Sequence, residues 1–366
     1  MTTPKVAVII VSFGHARFLR ALFASLARVD YPRDSWRVML LDNASPDETK
    51  EIAERELFSG DGRTTKSGIA AELVVSATNL GFAGGNDFCV AKALADGFDF
   101  VYLLNPDTEV EPDFLTRAVE AAADPSVGAV QSLLLMGSDK RVVNSVGNAF
   151  HYLGFGFCVG YRDLITSPAY VGLRESSPEI ATASGAGLLV RASAWREVGG
   201  FDEIMFAYHD DLELSLKLRL AGWNLLLAPK SVVYHHYDFS RSVQKYFWME
   251  RNRWIVLLIF LKWRTLFLIL PMAKILECGM FLFALRGGWW REKLRVYAWF
   301  LSFRNWRTIM RSRREIQRLR KLPDRDLARL MVSEISYQDI ENPLLRRVGN
   351  PMMRAYWRAV RPLIRW

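Results

Sequence analysis

Cysteine is scarce in this chain: Cys89, Cys158 and Cys278 are the only three in 366 residues. An odd number at these spacings argues against a disulfide framework and matches no metal-site pattern, so all three are read as core thiols. No Gly-x-Gly-x-x-Gly follows the first apolar strand, where a dinucleotide-binding fold would carry its phosphate loop. Ser12, Phe13, Gly14 and His15 stand there instead. No charge-free apolar run reaches the ~20 residues that a membrane-spanning helix needs. The opening Met-Thr-Thr-Pro-Lys has no signal-peptide core, so catalysis is expected in the cytoplasm.

Positive charge is also missing from most of the chain. Residues 1–240 hold 21 Lys and Arg against 30 Asp and Glu, net −9, whereas residues 241–366 hold 27 against 9, net +18. Nine of the twelve Trp lie in the second segment. The division predicts an acidic domain over 1–240, which the resemblance given below makes the catalytic one, and a basic, Trp-rich helical membrane-associating region over 241–366. Trp prefers the headgroup zone, and Lys and Arg prefer anionic lipid. Nucleic acid is the competing anionic surface. The runs 254–261, 266–273 and 278–285 are more apolar than a phosphate-binding arm requires, so no nucleic-acid partner is expected. A helical core of a second domain is the remaining alternative. Lys262 and Arg264 would fall near the middle of a span over 254–273, each costing roughly 2.5–3.5 kcal/mol there. Lys274, Glu277 and Arg286 interrupt the next stretch. Short apolar runs alternating with basic residues suit helices lying in the interface, which makes the expected association peripheral or monotopic. A re-entrant or spanning hairpin stays open.

The first segment alternates strands and helices. Val6–Ser12 is continuously apolar, hence a central parallel strand buried on both faces. Residues 15–26 follow with Phe18, Leu19, Leu22, Phe23 and Leu26 at helical spacing. Further strands are predicted over 37–41, 72–76 and 98–104. Helices are predicted over 48–57, from 79–86 to about 95, and over 112–122, with Ser45 or Asp47 as a helix cap. Such alternation makes a parallel sheet whose ligand loops gather at the strand C-termini. Ser12, Asp42 with Asn43, Asn79 to Asn86, and Asn105 with Asp107 all fall at those ends. Pro106 cannot continue its strand, so Asp107 is delivered at a strand end, where a carboxylate suits a hard cation on a diphosphate. An ordinary Asn-Pro-Asp turn would look the same locally. Farther on, Leu212, Leu216 and Leu220 mark a packed helix ended by Gly222. Asp210 and Asp211 stand at its N-terminus, where the helix dipole alone would favour acids.

Together these pieces resemble the inverting glycosyltransferases of family 2, which have the GT-A fold, and within them the rhamnosyltransferase-like group that builds bacterial surface polysaccharides. The resemblance rests on residues 8–13, 41–47, 79–86, 103–107, 184–187, 199–202 and 208–223, and covers roughly 5–255. It implies an α/β fold: a mostly parallel Rossmann-like sheet flanked by helices, ahead of the C-terminal helical region. It also implies a nucleotide-sugar donor, dTDP-rhamnose or a UDP- or GDP-hexose, and a lipid-linked glycan acceptor. By resemblance Ser12, Asp42, Asn43, Asn79, Gly81, Gly84, Asn86, Asn105, Asp107, Ser184 and Gly185 would line the nucleotide-sugar site. Arg251 would contact the diphosphate or mark the membrane-facing helix. Asp107, with His235 chosen over His236, would hold Mg²⁺ or Mn²⁺. Asn105 departs from the two-carboxylate form of the family's Asp-x-Asp position and brings no charge. Asp211 would be the catalytic base, supported by Asp210 and Glu213, and residues 137–182, including Arg162 and Asp163, would shape acceptor choice. Two alternatives accompany this reading: a polyprenyl-phosphate sugar synthase, whose ionised acceptor needs no base, and a degenerate transferase serving as a membrane scaffold.

Overall fold

A computed structural model describes residues 3–237, 245–336 and 343–366. The strands, in chain order, are β1 (Val6–Ser12), β2 (Trp36–Asp42), β3 (Ala71–Val75), β4 (Phe100–Leu104), β5 (Thr108–Val110), β6 (Val127–Met136), β7 (Val143–Ser145), β8 (Asn148–His151), β9 (Gly156–Cys158), β10 (Gly187–Arg191), β11 (Asn224–His235) and β12 (Met331–Val332). Nine of them form one sheet in the order β3-β2-β1-β4-β10-β6-β11-β5, with β7 on β6. β1 to β4 pair in parallel. β10 enters antiparallel between β4 and β6, and β11 runs parallel to β6. The C-terminal ends of β1, β2, β3, β4 and β11 therefore share one edge with the start of β10.

The main helices are α1 (Ala16–Leu26), α2 (Thr49–Ile52), α3 (Gly81–Ala95), α4 (Phe114–Ala121), α5 (Ala192–Val198), α6 (Asp210–Leu220), α7 (Lys245–Phe260), α8 (Trp263–Arg286), α9 (Trp290–Phe300), α10 (Phe303–Leu319), α11 (Asp324–Leu330) and α12 (Asn350–Val360). Successive residues of β1 point to opposite faces, as a pleated strand requires. Val6, Val8 and Ile10 join one core with residues of α1 and α4. Ala7, Ile9 and Val11 join another with residues of α3, α5 and α6. The Asp47 carboxylate caps two helices at once, accepting from the Ala16 N–H at 3.0 Å and the Thr49 N–H at 3.2 Å.

A third core lies beyond α6. Leu212, Leu216 and Leu220 join it with Phe150, Tyr152, Phe155 and apolar residues of α7, α8, α10, α11 and α12. Leu214 and Leu218, on the opposite side of α6, belong to the sheet core. β12, from the basic segment, pairs parallel with β8 in a small sheet. The boundary at 240 and 241 lies outside the described residues.

Three local expectations are corrected. The run 254–261 is no membrane-facing stretch: Ile255, Val256, Leu257, Ile259, Phe260 and Leu261 are buried in the third core. The runs 266–273 and 278–285 are one continuous helix, α8, which begins after Lys262 and keeps Glu277 inside it by turning that side chain inward to Arg253, at 2.8 Å, and Lys293. At 24 residues it is the one described helix long and apolar enough to cross a membrane. Only Cys89 is a core thiol, its pKa pushed up to about 12 by burial; Cys158 is half-buried and Cys278 exposed.

Because α6 is wedged between two cores, Leu216→Ala should cost about 2–5 kcal/mol. Denaturant unfolding should read this as a lowered midpoint.

Candidate active site

The shared strand edge opens on a cleft of about 580 Å³. Asn43, Asn79, Gly81, Asn105, Ser184, Gly185, Asp210, Asp211 and His235 line it. Asp107 flanks it, its Oδ1 3.4 Å from His235 Nε2. Ser12, Asp42, Gly84, Asn86 and Arg251 are not on its wall. Ser12 and Asp42 are buried beneath the edge, and Asp42 Oδ1 accepts from the Ser45 N–H at 3.2 Å. Asn86 donates to the Phe82 carbonyl within α3 at 2.9 Å.

The Asn43 side chain is fully engaged. Its amide donates to Asn79 Oδ1 at 3.1 Å and to the Gly81 carbonyl at 3.0 Å, and its oxygen accepts from the Leu80 N–H at 2.9 Å. It thus fixes the start of α3. Gly81, at φ +74°, meets the loop before α6, where the Phe82 N–H donates to the Phe206 carbonyl at 2.8 Å. A Cβ at Gly81 would stand 2.5 Å from that carbonyl oxygen. The loop itself is strained, with Phe206, Tyr208 and His209 all at positive φ. Such conformations persist only where the surroundings enforce them. Arg251 and Asn252 supply the enforcement from below. Asn252 donates to the Met205, Ala207 and Tyr208 carbonyls at 2.8, 2.9 and 2.6 Å. Arg251 binds the Ile204 and Met205 carbonyls and lies over Trp248 at 4.4 Å.

This loop delivers Asp210 and Asp211 to the first turn of α6. Burial raises the pKa of Asp211, against the backbone N–H groups of Leu212 and Gly185 that lower it. Burial, followed by the neighbouring Asp211 charge, holds Asp210 well above the usual carboxylate range. Asp211 Oδ1 accepts from the Leu212 N–H at 2.8 Å, while Oδ2 faces the Asn148 amide and the Gly185 N–H, both at a long 3.4 Å. Glu213 lies deeper and pairs with Lys217 at 2.8 Å; burial pushes its pKa to about 7. His209 is buried, and burial lowers its pKa to about 4, leaving a neutral ring against the Gly154 carbonyl.

Pairing of β11 with β5 sets His235 opposite Thr108 and so beside Asp107. His236 turns away to Glu109, at 3.0 Å. His235 Nδ1 faces Asn144 Oδ1 at 3.0 Å, and its Nε2 lies 3.4 Å from the Asn105 amide. The Asn144 oxygen can only accept, so Nδ1 is the donor in that contact, and Nε2 is the ring atom turned toward Asp107. A ring nitrogen and a carboxylate oxygen 3.4 Å apart are donor atoms within reach of one cation. Among the described residues no three His, Cys, Asp or Glu side chains are grouped so as to hold a metal ion by themselves. Diphosphate oxygens or water would supply the remaining ligands.

Several residues at the site were not legible in the sequence. Asn144 and Asn148 come from the stretch 137–182, which carries three short strands; Arg162 and Asp163 of that stretch are off the cleft wall. Gln131 accepts from the Ser184 N–H at 2.7 Å and donates to Ser145 Oγ at 3.2 Å, joining the loop before β10 to β6 and β7. Lys245 lines the cleft from the start of α7.

The mixed sheet, in which β10 runs antiparallel between the mutually parallel β4 and β6, is that of the GT-A glycosyltransferases. The chain belongs to the family described as glycosyltransferase like family 2, whose model matches residues 4–256. It is 28% identical over 243 residues to N-acetylglucosaminyl-diphospho-decaprenol L-rhamnosyltransferase of Mycobacterium tuberculosis, covering 64% of this chain and 76% of that protein. It is also 28% identical over 249 residues to the uncharacterized protein y4gI of Sinorhizobium fredii. That match covers 66% of this chain but only 25% of the relative's length. Among solved structures, GalNAc-T7 with UDP, GalNAc and Mn²⁺ shares the fold at a TM-score of 0.56 and 16% identity, over 74% of this chain and 51% of that one. The chain is a glycosyltransferase with rhamnosyltransferase relatives.

Gly81→Ala should lower stability by more than about 1 kcal/mol, since the added Cβ meets both positive φ and the Phe206 carbonyl. Calorimetry should show a reduced Tm. Glu213, with its folded pKa above the unfolded one, binds more protons in the native state between about pH 4.5 and 7. Its contribution to stability therefore falls as pH rises through that window. Glu213→Gln should flatten the corresponding slope in a pH series of urea melts.

Proposed function

We propose that the protein transfers a single sugar, with inversion, from a nucleotide-diphosphate donor to a hydroxyl of a lipid-linked glycan in cell-surface polysaccharide biosynthesis. The donor is dTDP-rhamnose or a UDP- or GDP-hexose. The observation that carries this reading is one cleft lined by Asp211, Asn105 and His235, with Asp107 beside His235. The decaprenol-linked substrate in the mycobacterial relative's name supports the acceptor class.

In this reading Asp211 takes the proton from the acceptor hydroxyl as its oxygen attacks the anomeric carbon. The bond from that carbon to the diphosphate breaks, and the nucleoside diphosphate departs from the opposite face. One displacement inverts the centre and needs no nucleophilic carboxylate on the enzyme. A base kept in a dry site is stronger than an ordinary carboxylate, which is what Asp211's raised pKa supplies. Asn148 and Gly185 orient it, and Asp210 and Glu213 support the same helical turn. Asn43, Asn79, Gly81, Ser184 and Gly185 bound the space for the donor, while Ser12, Asp42, Gly84 and Asn86 build the edge behind it. Asp107 and His235 would hold Mg²⁺ or Mn²⁺, which when bound would neutralise charge on the leaving diphosphate.

Residues 241–366 are assigned as the membrane-associating region, at the cytoplasmic face of the plasma membrane. Arg304, Arg307, Arg311, Arg314 and Arg318 form an exposed stripe along α10, opposite buried Ile309 and Ile316. Phe267 and Leu282 stand exposed on α8, and Leu301 and Phe303 on the turn into α10. Basic residues beside exposed apolar ones suit an anionic headgroup layer.

Transfer assays with purified protein, a panel of dTDP-, UDP- and GDP-sugars and membrane-extracted acceptor should show turnover of one donor. Asp211→Asn should lower kcat by about 10²–10⁴-fold, and activity of the parent should fall as pH drops through the raised Asp211 pKa. Asp211→Asn retaining full activity would instead favour a polyprenyl-phosphate acceptor; donor binding without any turnover would favour a scaffold. Asn144→Leu should weaken the apparent Mn²⁺ affinity by about 10–100-fold, because the His235 tautomer is then no longer fixed. A metal titration of transfer reads that shift. Sedimentation with anionic vesicles should weaken with salt, and by about 1 kcal/mol for each of Arg307, Arg311 and Arg314 changed to Gln.

A further inference from the structure

Behind the cleft lies a second cavity, of about 300 Å³. Its volume is at the lower end for small-ligand sites, about 300–1,000 Å³. Apolar side chains make most of its wall: Phe155, Leu276, Met280 and Phe283 on one side, with Leu345 and Met352 among those on the other. His209 and Met249 line both this cavity and the catalytic cleft. The two spaces thus meet at these residues, beside the turn that presents Asp211.

Two charged residues touch the apolar space, Glu250 and Arg253. Both are buried, and both are neutralised behind the wall. Arg253 pairs with Glu250 at 3.1 Å and with Glu277 at 2.8 Å, and Lys293 pairs with Glu277 at 2.7 Å and also with Glu250. Two acids and two bases close on themselves, so the cavity wall carries no net charge. Such a wall accepts hydrocarbon and disfavours a free ion.

The other end meets the apolar surface of the tail. Ile275 on α8 is 51% exposed, and Leu344 and Val348 across from it are 69% and 53% exposed. All three line the cavity. It therefore runs from apolar surface suited to lipid toward the residues it shares with the cleft.

We propose that this cavity seats the hydrocarbon chain of the acceptor lipid where it leaves the diphosphate-linked glycan. The assignment rests on the lipid-linked acceptor proposed above. The occupant is one continuous molecule: its chain fills the apolar cavity and its head reaches past His209 and Met249 into the cleft, where a hydroxyl meets Asp211. Since the bilayer itself already offers an apolar environment, the cavity's effect is to fix where the head lies rather than to extract the lipid.

Gly279 gives a clean test, because it lines the cavity, sits inside α8, and a Cβ built there meets nothing within 4 Å. A larger residue fills the space without disturbing the core, and leaving glycine favours the helix. Transfer is measured for the parent, Gly279→Trp and Val348→Trp with two synthetic acceptors. These carry the same diphosphate-linked glycan, one on a long prenyl chain and one on a short water-soluble alkyl chain. Each excluded methylene costs about fourfold in chain binding. Both variants should therefore raise KM for the long-chain acceptor by about tenfold or more, with kcat and all short-chain parameters unchanged. An unchanged long-chain KM in both variants overturns the cavity assignment and leaves the acceptor class standing. Equal losses on both acceptors also overturn it, since the substitutions then act on the cleft. If the parent hydrolyses its donor but glycosylates neither acceptor, the acceptor reading fails and the cavity assignment fails with it.

Discussion

The burial of α6 on both sides is the constraint on which the rest depends. Its leucines alternate between two cores, Leu214 and Leu218 facing the sheet and Leu212, Leu216 and Leu220 facing the C-terminal helices. A helix held this way cannot roll, because any rotation exposes one apolar row and buries the polar atoms beside it. The carboxylates at its N-terminus are therefore located by packing, not by their own hydrogen bonds, which at Asp211 Oδ2 are long. The buried Glu213–Lys217 pair on the same helix adds register but little net stability, as desolvation offsets its attraction.

Around that fixed helix the strained turn becomes intelligible. Positive φ at Phe206, Tyr208 and His209 is unfavourable for residues with side chains. Gly81 meets the turn from the sheet side, and Arg251 and Asn252 bind its carbonyls from α7. The basic segment is thus part of the architecture that presents Asp211. That same turn lies beside both the polar cleft and the apolar cavity, which share His209 and Met249 in their linings.

Much of the fold could be read from local pattern. Continuous apolar strands, helical spacing after each, and polar residues at the strand ends led to the parallel half of the sheet, with boundaries within a residue or two at β1, β2, β3 and α6. Pattern failed where burial came from distant partners. The run 254–261 has the composition of a lipid-facing segment, yet it is core because α10 and the stretch around Phe155 cover it. Glu277 looked like an interruption of an apolar run, but Arg253 and Lys293 make it an interior residue of a continuous helix. Asn43 does line the cleft, with its side chain engaged by Asn79 and the start of α3, whereas Arg251 lies off the wall and binds backbone carbonyls of the loop before α6.

By itself the sequence determined the alternation of elements, the family, the charge division near residue 240 and the placing of Asp42, Asn105 and Asp107 at strand ends. Those depend on short-range periodicity and on what Pro and Gly permit locally. Only the tertiary structure decided that Asn144 faces His235, that Asn148 faces Asp211 and that an apolar cavity lies behind the turn that presents Asp211. These contacts join residues 63 to 91 positions apart. Their existence follows from which faces of the sheet and of α6 are buried together, and no local pattern records that.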